Sequence, residues 1–313
     1  MIFSSLVPSN LPKGVLLIDY LAGRFTYYDH QGWQSLISAG KIACNGKAAG
    51  DTDTVVPGDT ISYDAGEFEE PPADLSYRII YEDPWFLGID KPGNLLVHRA
   101  GKSFRNNLIY QLRETHVPPY PTAHSIHRLD RETSGVLLVA KNSEVIGSLS
   151  RGFNDGKVEK IYMAVVHGHP ATQEINLPIG KASGSSNSCK FDIDPAGKTA
   201  ETLILDTRPL NRHYSLVTLQ PVTGRTHQIR VHLAAIGAPV VGDKLYIPSG
   251  ESDYFELRNS QAEFSPELKF RRQALHCASI TFLHPFLGSK CKVAAEMRAD
   301  MRELIEQLTR MES

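Results

Sequence analysis

Short β-rich runs recur from Tyr77 to Ala294 without the strict strand–helix alternation that a parallel βαβ sheet requires. They are Tyr77–Tyr81, Phe86–Asp90, Val136–Ala140, Ile161–Val166, Thr202–Leu205, Tyr214–Leu219, Ser279–Leu283 and Cys291–Ala294. Helical spacings fall between them: Leu108, Ile109 and Leu112; then Val145, Ile146, Leu149 and Phe153, with Asn142 or Ser143 as N-cap. Met297, Met301, Leu304, Leu308 and Met311 mark an amphipathic C-terminal helix, a packing stripe. The pattern predicts an α+β fold with a large, mixed and mostly antiparallel sheet. Residues 181–198, polar and rich in Gly and Ser, predict a mobile loop.

A different pattern occupies residues 14–65. Leu16, Leu17, Ile18, Leu21 and Phe25 fit one helical face, and Trp33, Leu36 and Ile37 fit another. Asn45-Gly46 is a hairpin turn signal. The acidic, Pro-containing stretch 66–76 predicts a linker, which divides the chain into 1–65, the linker 66–76 and 77–313. With 313 residues, 41% hydrophobic and 22% charged, a soluble globular protein of two domains is expected. No apolar run reaches membrane-span length, and the first residues lack a basic start. Four cysteines without a CxxC pair point to reduced thiols in the cytoplasm. A net charge of −2 argues against a general nucleic-acid coat but leaves room for a local basic cleft.

Two segments carry the chemistry. In 127–141, HRLDRETSGVLLVAK, Asp130 lies between Arg128 and Arg131 ahead of a turn and an apolar strand. Flanking cations keep such a carboxylate ionised. In 223–233, TGRTHQIRVHL, Thr226 is the expected cap of a helix that stops at Gly237. Arg225, His227, Gln228 and Arg230 crowd its start, where free amides also favour an anion such as Asp130. His227 and His232 are five residues apart, which does not place two metal ligands on one helical face. No metal is expected. Asp130 and Glu132, two residues apart on a turn, lack the enforced separation of a glycosidase pair. Lys91-Pro92 marks a strand end, and Tyr162 is a strand tyrosine whose face suits a flat base.

Together the segments resemble the RluA-type RNA pseudouridine synthases. Five pieces carry the resemblance in the family's order: YEDPWFLGIDKPGNLLVH at 81–98, HRLDRETSGVLLVAK at 127–141, KIYMAVVHG at 160–168, TGRTHQIRVHLAAIGAPVVGDKLY at 223–246 and LHCASITFLHP at 275–285. GKIACNG and VVPGDTI make residues 1–65 similar to an S4-like RNA-binding domain. The resemblance implies the pseudouridine synthase fold, with a mixed, mostly antiparallel central sheet and a small S4-like α/β domain. By resemblance Asp130 is the catalytic aspartate and Arg230 its arginine partner. Tyr162 stacks on the flipped uracil and is a candidate base for its C5 proton. Arg128 helps to extrude the nucleotide. His127, Lys91, Arg225, His227 and Gln228 are further candidates for RNA binding or base flipping.

The resemblance implies no cofactor and no metal, and a cytoplasmic monomer acting on ribosomal or transfer RNA. Such an enzyme must take uridine out of the stack and keep the detached base from water. Attack by Asp130 on the ring C6 and attack on the sugar both suit a charged carboxylate. The alternative is a non-catalytic RNA-binding ribosome-assembly factor on the same scaffold, and that factor would not need Asp130, Tyr162 and Arg230. One departure stands out. Residues 14–65 hold three basic against six acidic side chains, whereas 120–245 hold fourteen against eleven. RNA affinity is therefore expected on the second domain.

Overall fold

Alternating and continuous apolar runs pair edge to edge in the computed structural model. It describes all residues except 1, 13, 26–27, 65, 67–68, 148, 150–151, 153–156, 183–189, 247–269 and 312–313. The chain divides into two compact units, one of Met1–Pro72 with Arg99–Arg105 and one of Ala73–His98 with Asn106–Ser313. The first boundary falls within the stretch predicted as a linker.

In the larger unit, ten strands form one sheet. Its order runs Glu174–Asn176, Glu201–Pro209, Tyr214–Pro221, Glu159–His167, Leu275–Leu283, Ser134–Ala140, Phe86–Lys91 and Arg78–Glu82. Lys290–Ala294 and His124–Ser125 add to Leu275–Leu283 and Ser134–Ala140. Seven of the eight β-rich runs lie within one of these strands, and Tyr77–Tyr81 overlaps Arg78–Glu82 with a shift of one residue. Pairing is antiparallel except between Ser134–Ala140 and Leu275–Leu283, which run parallel through Ser134↔His276 and Gly135↔Cys277. The mixed, mostly antiparallel sheet is thus present.

Phe86–Lys91 and Ser134–Ala140 are buried at every position, as strands covered on both faces must be. One core holds them together with Leu108 and Leu112 and with Met301, Leu304 and Leu308 of the C-terminal helix Ala299–Arg310. Each such buried aliphatic side chain contributes about 1.5–3 kcal/mol. Met297 lies before that helix and Met311 after it, exposed. Asn107 caps the helix Leu108–Tyr110, which continues as a wider turn through Thr115. Asn142 caps a short 3-10 turn, Ser143–Val145, and Phe153 lies outside the described residues. The predicted mobile loop 181–198 holds a strand, Phe191–Ile193, paired with Ile179–Lys181. The alternation of Phe191 and Ile193 was outweighed by the polar composition around it.

The smaller unit pairs Ile2–Leu6 with Thr60–Asp64, and the latter with Ile42–Cys44. The helices Leu17–Arg24 and His30–Ser38 bury Leu17, Leu21, Trp33 and Ile37 in its core. Asp29 caps the second helix by accepting from the Gly32 N–H at 2.7 Å. Asn45 and Gly46, both at positive φ, turn the predicted hairpin. Among the described residues no helix is long and apolar enough to cross a membrane.

Gly135 makes the parallel pair possible. Its φ is +106°, and a Cβ there would lie 2.2 Å from the Cys277 carbonyl oxygen. Gly135→Ala should therefore destabilise the protein by at least about 2 kcal/mol, since both backbones must shift. Gly23, helical and facing open space, is the contrast. Gly23→Ala should be neutral or stabilising by up to about 1 kcal/mol. Urea unfolding of the two variants checks the difference, and equal midpoints would refute the close approach as a constraint.

Candidate active site

Asp130 ends a short loop that leads into the buried strand Ser134–Ala140. Its carbonyl accepts from the Thr133 N–H at 3.2 Å, closing the turn. The neighbours fix that turn. Arg272 Nη1 donates to the Glu132 carbonyl at 3.0 Å, and the Gln273 N–H donates to Glu132 Oε2 at 3.1 Å. Lys244 pairs with Glu132, and Gln273 donates through its amide to Thr133 Oγ1. Glu132 is thus engaged in holding the turn, which removes it as the second carboxylate of a glycosidase pair.

Lys91 is wholly buried, and its Nζ donates to the carbonyls of Pro92, Leu95 and Arg131 at 2.8, 2.9 and 3.1 Å. Burial, with Arg272 next, pushes its pKa down to about 7. The expected role of Lys91 in RNA binding is therefore corrected. Its three donors brace the loop after Asp130, and no face of it is open to a phosphate.

The second segment folds with one shift from expectation. The helix is Gln228–Ala235, and its N-cap is His227 at φ 57°, not Thr226. Gly237 at φ 76° ends it as predicted. Gln228 is also a correction as an RNA contact. It is buried, and its Oε1 accepts from Thr223 Oγ1 at 2.7 Å and from the Arg225 N–H at 2.9 Å. Its Nε2 donates to the Glu201 carbonyl and to Thr202 Oγ1. The amide shapes the turn from inside, adding to the Val222 N–H that the Glu201 carbonyl also accepts at 3.0 Å.

Arg230 points from this helix into a chain of buried charge. Its Nη1 donates to Asp130 Oδ2 at 2.8 Å. Its Nε and Nη2 donate to the two oxygens of fully buried Asp243 at 2.6 and 2.9 Å. The Tyr246 ring lies 4.9 Å from the guanidinium carbon and covers it. Tyr246 Oη also meets His227 Nδ1 at 2.9 Å, and His227 Nε2 stands 3.8 Å from Asp130 Oδ2. Burial alone would push the Asp130 carboxyl up. Arg230 and His227 beside it hold it down at about 2. Burial and the Arg230 charge push His227 down to about 4, so at neutral pH it is uncharged and Arg230 keeps Asp130 ionised.

Tyr162 follows a bulge in the strand Glu159–His167 and stands opposite Cys277, the residue that Gly135 faces on the other side. Its hydroxyl and the Cys277 thiol influence each other electrostatically. Burial, then the neighbouring Cys277 and Asp130, raise the phenol well above its ordinary value, so it stays protonated at neutral pH.

Arg128 is exposed, and among the described residues its guanidinium makes no hydrogen bond or ion pair. Its charge is felt by His98 and His227. His127 Nε2 accepts from the Leu138 N–H at 3.0 Å, and burial pushes its pKa down to about 3. The ring is neutral and ties the loop to the strand Ser134–Ala140. Arg225 Nε donates to the Thr199 carbonyl at 2.9 Å at a part-open position. His232 binds Thr202 and the Leu177 carbonyl internally. Among the described residues no cluster fit for a metal ion occurs.

Asp130, Arg230, His227 and Tyr162 thus share one electrostatic neighbourhood. Asp243, Tyr246, Gln273 and Cys277 complete it and were not singled out from sequence, although GDKLY and LHC stood within the stretches quoted above.

Residues 86–235 match the RNA pseudouridylate synthase family. A ribosomal large subunit pseudouridine synthase D of Zymomonas mobilis is 33% identical over 244 residues, 76% of this chain and 74% of that protein. Its counterpart in Xanthomonas campestris is 30% identical over 309 residues, covering 92% and 87%. Among solved structures, human RNA pseudouridylate synthase domain containing 1 superposes with a TM-score of 0.53 at 28% identity, over 73% of this chain and 86% of that one. With this similarity along most of its length, the chain belongs to the RluA-type RNA pseudouridine synthases, which convert uridine in RNA to pseudouridine.

Proposed function

We propose that this chain isomerises a particular uridine in structured ribosomal or transfer RNA, with Asp130 as the nucleophile. The observation that carries the reading is the part-open Asp130 carboxylate held ionised by a buried arginine. A nucleophilic carboxylate must be charged in a site dry enough to retain the detached base. Asp243 clamps Arg230 through two of its nitrogens and turns the third towards Asp130. The names of the relatives above favour large-subunit ribosomal RNA.

Tyr162 supplies a flat face at the rim of the same site. Its phenol, raised and protonated, is a poor base in the resting enzyme, which favours stacking on the flipped uracil over proton removal. Exposed Arg128 is suited to fill the gap left in the RNA. Arg225 and His227 flank the entrance. In this reading the Met1–Pro72 unit, with its two helices and Asn45-Gly46 hairpin, is an S4-like domain. The protein acts as a cytoplasmic monomer with no metal. Among the described residues Cys44, Cys277 and Cys291 are free thiols, which fits a reducing compartment.

Asp130→Asn should abolish tritium release from 5-tritiated uridine in RNA while leaving the fold intact, because Arg230 retains Asp243. Activity within tenfold of wild type would sink the assignment. Arg230→Met should cost about 3–5 kcal/mol in denaturant unfolding, since it strands two carboxylates. It should also move the acid edge of activity upward. Asp130 has a folded value of about 2, depressed from 3.8. Its contribution to stability is therefore present above the unfolded value and lost as pH falls towards the folded one. Without Arg230 the largest influence opposing burial is gone, and the carboxyl protonates at higher pH.

Tyr162→Phe should keep RNA affinity and hold turnover within about tenfold, whereas Tyr162→Ala should lose both, given stacking worth about 1–3 kcal/mol per base. Filter binding and single-turnover kinetics separate the two roles. Normal affinity with turnover reduced more than a hundredfold in Tyr162→Phe would instead assign the C5 proton to the hydroxyl.

A further inference from the structure

The smaller unit is built partly from a distant piece of chain. Residues 1–72 hold four basic against nine acidic side chains, whereas the segment RAGKSFR at 99–105 brings three basic ones and no acid. The segment is fixed within this unit by several contacts. Phe104 stacks on Phe3 with ring centroids 3.8 Å apart. The Glu70 carboxylate accepts from the N–H groups of Phe104 and Arg105, each at 2.9 Å. Lys102 Nζ stands 5.1 Å from the centre of the Tyr28 ring.

Its docking leaves a cavity of about 200 Å³ walled by Phe3, Phe25, Trp33, Tyr63 and Phe104, with Arg24 and Arg99 beside them. Both arginines are exposed, and among the described residues neither makes a hydrogen bond or ion pair. Ligand pockets for larger organic molecules run to about 300–1,000 Å³, so this one suits a single ring system. Aromatic walls offer stacking to any base, and forked guanidinium groups match phosphate. We propose that this cavity binds one unstacked nucleotide of the RNA, the base between the aromatic rings and the phosphate on Arg24 and Arg99. The proposal rests on the RNA reading above and deepens it. It also departs from the charge expectation drawn from residues 14–65, because segment 99–105 supplies the missing cations.

The test uses full-length protein carrying Trp85→Phe, which leaves Trp33 as the only tryptophan. A short single-stranded oligouridylate should change Trp33 emission saturably, and inorganic phosphate alone should not. Arg24→Glu and Arg99→Glu should each weaken that binding at least about tenfold. Lys47→Glu, the same charge change at another exposed position in the unit, should weaken it less than about threefold. Arg24→Gln and Arg99→Gln repeat the measurement if a melt shows either Glu variant unfolded. An absent signal, unchanged binding in the arginine variants, or an equal loss in Lys47→Glu overturns the pocket. Tritium release at saturating RNA, run on the same proteins, keeps the two readings apart. Isomerisation without the Trp33 signal refutes the pocket alone, whereas the signal without isomerisation refutes the catalytic reading alone.

Discussion

Two carboxylates face one guanidinium in the larger unit, and much of the surrounding structure answers to that fact. An unpaired buried charge costs several kcal/mol, so Arg230 and Asp243 are tolerated only as a pair with good geometry. Asp243 meets that demand through both oxygens, and its Oδ1 also accepts from the Leu245 N–H at 2.9 Å. Asp130, less buried, receives the remaining arginine nitrogen. Its charge is thus set by a residue one hundred positions away in sequence. The helix Gln228–Ala235 must therefore start at the right place, which is why Gln228 is engaged in four internal hydrogen bonds at the preceding turn.

The sheet supplies the second half of that placement. Parallel pairing of Ser134–Ala140 with Leu275–Leu283 sets Gly135 beside Cys277, and antiparallel pairing sets Tyr162 on the other side of the same residue. The loop of Asp130 and the ring of Tyr162 are therefore positioned by two main-chain ladders rather than by mobile side chains. A site held by strands in this way is more precise than one carried by loops alone. Lys91, inside the molecule, ties the start of the loop after Phe86–Lys91 to Arg131.

Eight of the ten strands in the large sheet were legible as apolar runs rich in β-branched residues, whereas Glu174–Asn176 and His124–Ser125 are too short and polar to show such a pattern. Asp130 and Arg230 stood out from the charged groups around them, but their pairing roles and the place of Tyr162 came from a family resemblance, since neither spacing nor composition links residues so far apart. Two assignments failed for a physical reason: Lys91 and Gln228 are polar side chains directed inward, and burial of a polar group is invisible in a single sequence. Asp243 was missed for the same reason. The strand Ile2–Leu6 was missed because its partner, Thr60–Asp64, lies across the whole unit. The pairing of Phe191–Ile193 was hidden by the Gly and Ser around it. Apolar periodicity reports which face is buried, not which distant segment covers it.

The segment Arg99–Arg105 belongs to one unit while the chain on both sides of it belongs to the other. The polypeptide therefore passes between the units three times, not once. A single-crossing domain can be gained, lost or exchanged by one recombination event, but this arrangement cannot be separated by one cut without leaving part of a fold behind. The same connectivity constrains unfolding. When the smaller unit opens, the seven residues stay anchored at both ends, so they gain far less chain entropy than a free tail would.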